Sequence, residues 1–193
     1  MIITWEDLKK ASYNRMALES DEYSDYTESV VEGVNHCMLE LAKLFPIRGQ
    51  YELTQSETED EGENEYDMKT LCESFMEFSH PPVLKGNYLV SETEYTIIGN
   101  RYLRLKKSNS GTFKVQYNKY PTKITAQTEN SFILELSPEA VNLIPLYVTW
   151  WAYQDDDASK ATMAYNEFSE AKQGLINPPN FKGGITIEGG IDI

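Results

Sequence analysis

Tyr26-Thr27-Glu28-Ser29-Val30-Val31-Glu32-Gly33-Val34-Asn35-His36-Cys37-Met38-Leu39-Glu40-Leu41-Ala42-Lys43-Leu44 is the stretch that sets the fold class. Tyr26, Val30, Val34, Cys37, Leu41 and Leu44 recur at three- and four-residue spacing, which lines them along one face of a helix. Pro46 stops that helix, because proline has no N–H for the next helical bond. Upstream, Thr4 and Asp7 form the pattern of a capping box, followed by Leu8, Ala11 and Met16 on a short first helix. Downstream, Tyr51-Glu52-Leu53-Thr54 reads as a strand, and the acidic stretch 57–65 as a solvated loop with nothing to bury. A further helix is expected from Asp67, with Met68, Leu71, Phe75 and Phe78 inward, ending before Pro81-Pro82.

The middle of the chain changes period. Tyr88-Leu89-Val90, Tyr95-Thr96-Ile97-Ile98 and Tyr102-Leu103-Arg104-Leu105 read as strands, with Gly99-Asn100 as a turn. After a second turn at Ser108–Gly111, Phe113, Val115 and Tyr117 alternate with Lys114, Gln116 and Asn118, a strand with one buried face. Ser137-Pro138 then opens a helix that runs to about Gln154, with serine as N-cap and proline in the first turn. That helix is apolar nearly all round, and Pro145 is expected to kink it. Asp155-Asp156-Asp157 makes a turn, and Ala161, Ala164, Tyr165, Phe168 and Ala171 mark one face of a last helix ending at Gly174. Residues 177–193 form a distinct tail in which glycine pairs separate Ile185-Thr186-Ile187 and Ile191-Asp192-Ile193. It reads as a disordered end or a strand that orders on a partner.

The expected class is therefore α+β: mainly a helical bundle of four to five helices, with a central antiparallel β insertion and an extended C-terminal tail. The helical core takes residues 1–46, 67–79 and 138–174 of one domain (1–176), and the β insertion about 83–136.

A net charge of −14, from 31 acids and 17 bases, disfavours direct DNA binding, which relies on Lys and Arg displacing counterions. The charge is bipolar along the chain. Glu57, Glu59, Asp60, Glu61, Glu63, Glu65 and Asp67 crowd one stretch; Arg101, Arg104, Lys106, Lys107, Lys114, Lys119 and Lys123 occupy another without an intervening acid. The two blocks are expected to face each other across a subunit boundary, or each to face an oppositely charged partner. No apolar run approaches the roughly 18–20 residues needed to span a bilayer. The N-terminus has no signal-peptide pattern, so a cytoplasmic site of synthesis is expected without membrane association.

No catalytic constellation emerges. Phosphate-loop, dinucleotide-loop and nucleophile-elbow glycine patterns are missing. Two histidines, His36 and His80, and two scattered cysteines, Cys37 and Cys72, give no zinc spacing, so neither metal nor cofactor is expected. The cysteines are expected as free, buried thiols. Asp155–Asp157 lacks the glycine and closing glutamate of a calcium loop, and helix capping explains it. Trp150 and Trp151 are expected in the core or between subunits rather than as a base-stacking platform.

Leu136-Ser137-Pro138-Glu139-Ala140, Leu143-Ile144-Pro145-Leu146-Tyr147-Val148, Asp155-Asp156-Asp157-Ala158 and Tyr165-Asn166-Glu167-Phe168 together resemble the end of the adaptor (head-completion) proteins of tailed bacteriophages. The stretch from Gly111 to Thr125 resembles the β insertion carried by some of them, and Thr4-Trp5-Glu6-Asp7-Leu8-Lys9 fits loosely. The resemblance covers residues 88–175 and, more weakly, 1–45; the acidic loop and the tail have no counterpart in it. It implies a non-enzymatic virion protein of the neck, assembled in the host cytoplasm as a homo-oligomeric ring, typically of twelve copies. Its partners would be the portal and the next neck or tail-completion protein, with DNA met only in passage. Candidate interface residues are Arg101, Arg104, Lys106, Lys107, Lys114, Trp150, Trp151, Phe181, Ile185, Ile187 and Ile191. The rival reading is an acidic binding module, a DNA mimic or inhibitor acting on a basic partner.

Overall fold

Thr4 starts the first helix as its sequence pattern requires. The backbone N–H of Asp7 donates to Thr4 Oγ1 (3.2 Å) and that of Thr4 to Asp7 Oδ2 (3.1 Å), which satisfies two N-terminal donors reciprocally. The computed structural model describes residues 3–56 and 61–177. Helix α1 (Trp5–Met16) is followed by α2 (Tyr23–Ala42), on which Val30, Val34, Cys37 and Leu41 are buried as the spacing predicts. Tyr26 is half-buried, and Leu44, just past the helix end, is exposed.

α1 ends at Ala17, whose backbone is left-handed (φ 59°, ψ 39°). The Met16 carbonyl just before it accepts from Lys160 Nζ (2.7 Å) and the Tyr153 hydroxyl (3.1 Å), a cation placed at the negative end of the helix. Alanine carries a Cβ into a conformation that glycine adopts freely. Ala17→Gly is therefore expected to raise the unfolding free energy by about 0.5–1 kcal/mol, read as a higher urea midpoint at unchanged slope.

Between α2 and the C-terminal helices the chain makes one long β excursion. Its elements are β1 (Ile47–Gln55), β2 (Glu63–Asp67), a single turn α3 (Met68–Leu71), β3 (Phe75–Lys85), β4 (Tyr88–Leu89), β5 (Tyr95–Ile98), β6 (Tyr102–Lys106) and β7 (Gly111–Lys119). They form two antiparallel sheets, ordered β1-β7-β3-β4 and β2-β6-β5. Leu53, Phe75, Val83, Leu103, Leu105, Phe113 and Val115 fill the core between them. Gly99 (φ 56°) and Asn100 (φ 49°) make the β5–β6 turn, a mirror-image turn whose twist suits a hairpin. At Gly49, opposite Tyr117 in the ladder, an added Cβ would lie 2.5 Å from the tyrosine ring; here the ring occupies the space of a side chain.

α4 (Pro138–Val141), α5 (Ile144–Tyr153) and α6 (Ala158–Ile176) complete the helical part. Its separate core gathers α1, α2 and these helices around Leu8, Met16, Leu41, Ile144, Val148 and Phe168. Ser137 caps α4 and Asp157 caps α6, the latter accepting from the Lys160 N–H at 2.9 Å.

Four expectations are corrected, the last of them at the segment that follows β7. First, the fold is mixed α/β, with 40% of the described residues helical, 27% in strands and seven strands among them in two antiparallel sheets, and not a mainly helical bundle. Secondly, residues 67–79 leave the helical core. Asp67 caps one helical turn, Cys72 is already extended (φ −130°, ψ 101°), and β3 runs on through Pro81-Pro82. The prolines are tolerated because the register against β7 shifts between Phe78 and Val83, a bulge that asks no ladder N–H of them. Thirdly, the 138–154 helix is broken at Asn142-Leu143. Pro145 offers no N–H to the Val141 carbonyl, and it falls instead in the first turn of α5, where that loss costs nothing.

Residues 120–136, assigned from sequence to the β insertion, form a strap across the helical core instead. Ile124, Leu134 and Leu136 are buried there. Asn35 on α2 accepts the Ile124 N–H (2.8 Å) and donates to its carbonyl (2.8 Å), while Trp5 N–H donates to the Phe132 carbonyl (2.8 Å). Glu135 anchors the strap, accepting from Lys119 Nζ (2.5 Å) and the Thr122 N–H (2.8 Å). Burial alone would raise its carboxyl, but those bonds outweigh it and hold the group below its ordinary value. A carboxyl lowered on folding stabilises fully above its unfolded value and loses that contribution as pH falls through the folded one. The stability gap between the native chain and Glu135→Gln is thus expected to be widest near neutrality. It should shrink as pH drops below about 4.5, as measured by paired urea titrations.

Candidate interaction surface

The start of the basic block folds onto the end of the acidic one within a single chain. β2 lies antiparallel to β6, pairing Glu63 with Lys106, Glu65 with Arg104 and Asp67 with Tyr102. Arg104 Nε donates to Glu65 (2.7 Å), and Arg101 grips Asp67 with Nε (2.9 Å) and Nη2 (2.5 Å). The Arg101 bonds, with help from Thr70, hold the Asp67 carboxyl far below the usual carboxylate range despite partial desolvation. Lys107 donates its backbone N–H to the Gly62 carbonyl (2.9 Å), and Lys114 sits opposite Glu52 on the outer face of the first sheet. The facing expected between subunits therefore occurs inside the subunit for Glu63, Glu65 and Asp67. Glu57, Glu59 and Asp60 lie outside the described residues, as do Phe181, Ile185, Ile187 and Ile191 of the tail.

The strand β2 is invisible to a hydrophobic-pattern reading. Glu63-Asn64-Glu65-Tyr66-Asp67 offers almost no apolar residue; what makes it a strand is the cross-strand charge ladder. Behind that ladder, Gln55 is buried and fully bonded. Its amide donates to the carbonyls of Lys106 (2.7 Å) and Asn109 (2.5 Å), and its oxygen accepts from Tyr66 (2.8 Å) and Asn64 (3.1 Å).

Trp150 and Trp151 occupy neither a closed core nor open solvent. Both are half-buried on α5. Trp151 stacks on His36 with ring centres 4.5 Å apart and lies over Gly33, where a Cβ would meet its indole at 3.1 Å. Trp150 meets Tyr147 edge-on (4.9 Å) and Tyr165 at the same distance. Tyr165 is 40% exposed and Leu39 39%, so one aromatic strip of His36, Trp151, Trp150 and Tyr165 reaches the surface. Beneath it, Lys172 and Glu40 (2.5 Å) join α6 to α2. The Tyr147 hydroxyl is pushed up to about 12, chiefly by burial and then by the charges of Cys37 and Glu40. It stays protonated and serves packing. A second exposed apolar feature, absent from the sequence reading, is the β3–β4 hairpin tip with Tyr88 82% and Leu89 66% exposed.

The residue types that could carry chemistry are kept apart. Cys37 is buried in the helical core and Cys72 in the β core, both free thiols. His36 is engaged by Trp151, and His80 is exposed on β3. Among the described residues no group of three or more His, Cys, Asp and Glu side chains could hold a metal ion, and no helix is long and apolar enough to cross a membrane. A cleft of about 520 Å³ between α2 and the strap at Lys123–Ala126 places Glu28 and Glu32 beside Lys123. No family model matches the chain, and no curated protein matches its sequence.

Proposed function

We propose that this chain is a structural subunit of a phage neck, an adaptor that assembles as a ring beneath the portal and receives the tail or next neck protein. The observation that carries the reading is the aromatic strip of Trp150, Trp151, Tyr165 and His36. An apolar patch of this kind on a soluble chain is a packing surface for another protein. The residues behind the family resemblance support it. Ser137 and Asp157 cap α4 and α6, and the Leu143–Val148 segment forms the buried first turns of α5. Pairing of Arg101, Arg104 and Lys119 within the chain, against an overall charge of −14, suits a wall that DNA passes without binding.

Light scattering and negative-stain imaging of the purified chain test the proposal, with rings of about a dozen copies as the expected result. Trp150→Ala removes a half-buried ring, so it is expected to cost less than the ~3–5 kcal/mol of a fully buried aromatic while abolishing ring formation. A chain that stays monomeric at all concentrations, with or without isolated portal rings, overturns the reading. A monomer that instead binds basic proteins stoichiometrically establishes the acidic-mimic alternative.

A further inference from the structure

We infer that the outer edge of β1 is the acceptor for the C-terminal segment around Ile185-Thr186-Ile187 of a second copy, which adds to the sheet as an antiparallel strand. This rests on the self-assembly part of the reading above, and it assigns a contact that the reading leaves open.

The acceptor is singled out by comparing strand edges. An unpaired edge invites another chain, and proteins defend such edges with shortness, charge, proline or bulges. β2 is five residues long and carries Glu63, Glu65 and Asp67; β5 has four residues and β4 two. The outer side of β3 beyond β4 is interrupted by Pro81-Pro82 and the register shift there. β1 is neither short, bulged nor interrupted by proline, and its only charges are Arg48 and Glu52, of opposite sign. It pairs nine consecutive residues with β7, Ile47↔Lys119 to Gln55↔Gly111, without a bulge. Among the described residues no strand lies on its other side. It contains neither proline nor lysine.

The donor is singled out by where the chain leaves the helical core. Lys172 of α6 is bonded to Glu40, half a turn before α2 ends at Ala42, and β1 begins five residues later. α6 ends at Ile176, at the end of the helical part where β1 is rooted. Residues 178–184 reach at most about 24 Å, whereas nine residues of strand run for about 30 Å. Ile185–Ile187 of the same chain, extended along β1 from its root, would fall short of its Gln55 end and run parallel to it. The sheet is antiparallel throughout, and antiparallel pairing is the more stable. A second copy can bring the segment in from the Gln55 end. Isoleucines at alternate positions would then continue the buried face that holds Leu53 and the half-buried Tyr51, leaving Thr186 on the outer face with Gln50 and Glu52.

The test uses full-length chains carrying one new cysteine each, the native Cys37 and Cys72 being buried. Gln50→Cys and Thr186→Cys chains with different tags are mixed under assembly conditions and oxidised, beside a Leu89→Cys and Thr186→Cys control. A paired strand holds its partner at millimolar effective concentration, so disulfide-linked heterodimers should exceed the control roughly tenfold or more. A single chain carrying both Gln50→Cys and Thr186→Cys, oxidised at high dilution, should show no internal cross-link. Equal yields in mixture and control, or cross-linking confined within one chain, overturn the inference. Light scattering on the same samples separates the two claims: rings without the cross-link sink the strand exchange alone, whereas monomers at every concentration sink the ring itself.

Discussion

Phe168→Ala is expected to lower the unfolding free energy by about 3–5 kcal/mol, the cost of emptying a fully enclosed aromatic site. Phe168 has no exposed surface and lies at the centre of the helical core. Its ring meets Tyr147 edge-on at 5.1 Å, and the Lys172 ammonium sits 4.9 Å from its centroid. Deleting it removes the knob that locks α6 against α5, and it loosens the platform beneath the Trp150–Tyr165 strip. The effect is therefore expected twice over, in the urea midpoint and in ring formation. The chain's three tryptophans, Trp5, Trp150 and Trp151, all belong to the helical part, so their fluorescence reports this core directly. A midpoint unchanged within error would show that Phe168 is not enclosed as described.

The second large effect lies in the other core. Gln55→Ala leaves the Tyr66 hydroxyl, the Asn64 amide and the carbonyls of Lys106 and Asn109 without their common partner. Each buried group so stranded costs about 1–3 kcal/mol where water cannot replace the bond. Partial access at Asn64 and Asn109 keeps the expected total near 2–4 kcal/mol. Gln55→Glu is the sharper variant. It preserves the acceptor for Tyr66 and Asn64 but turns the donating amide into an oxygen facing two carbonyl oxygens, so it is expected to be at least as damaging. Circular dichroism follows the whole chain while tryptophan fluorescence follows the helical core. Coincident shifts in both would show one cooperative unit, and a shift in dichroism alone would show a β part that opens separately. Wild-type stability in Gln55→Glu would mean that the amide is not the clamp.

Much of the local structure was legible because its causes lie within a few residues of each other. Thr4 and Asp7 cap each other three positions apart, Asp157 reaches the N–H of Lys160, and Gly99-Asn100 supplies the two positive φ angles of its turn. The buried stripe of α2 and the alternation of Phe113, Val115 and Tyr117 follow from helix and strand periods alone. The candidate surface is legible only in part: Trp150 and Trp151 read from sequence as core or subunit interface, but the stacking of Trp151 on His36 depends on α2 lying beside α5.

What the sequence determined by itself is thus the capped helices, the strands of regular alternation and the acidic character of the whole. Tertiary structure decided the rest, because the deciding partners are far away along the chain. Met68, Leu71, Phe75 and Phe78 have helical spacing, yet Phe75 and Phe78 join β3 because β7, some forty residues on, offers them a ladder and a core. Glu63–Asp67 becomes a strand because Arg104 and Lys106 stand opposite. Arg101 and Arg104 meet Asp67 and Glu65 within one chain for the same reason. Short-range periodicity names the face a residue would bury; only the assembled sheets and helices settle whether another segment is there to bury it.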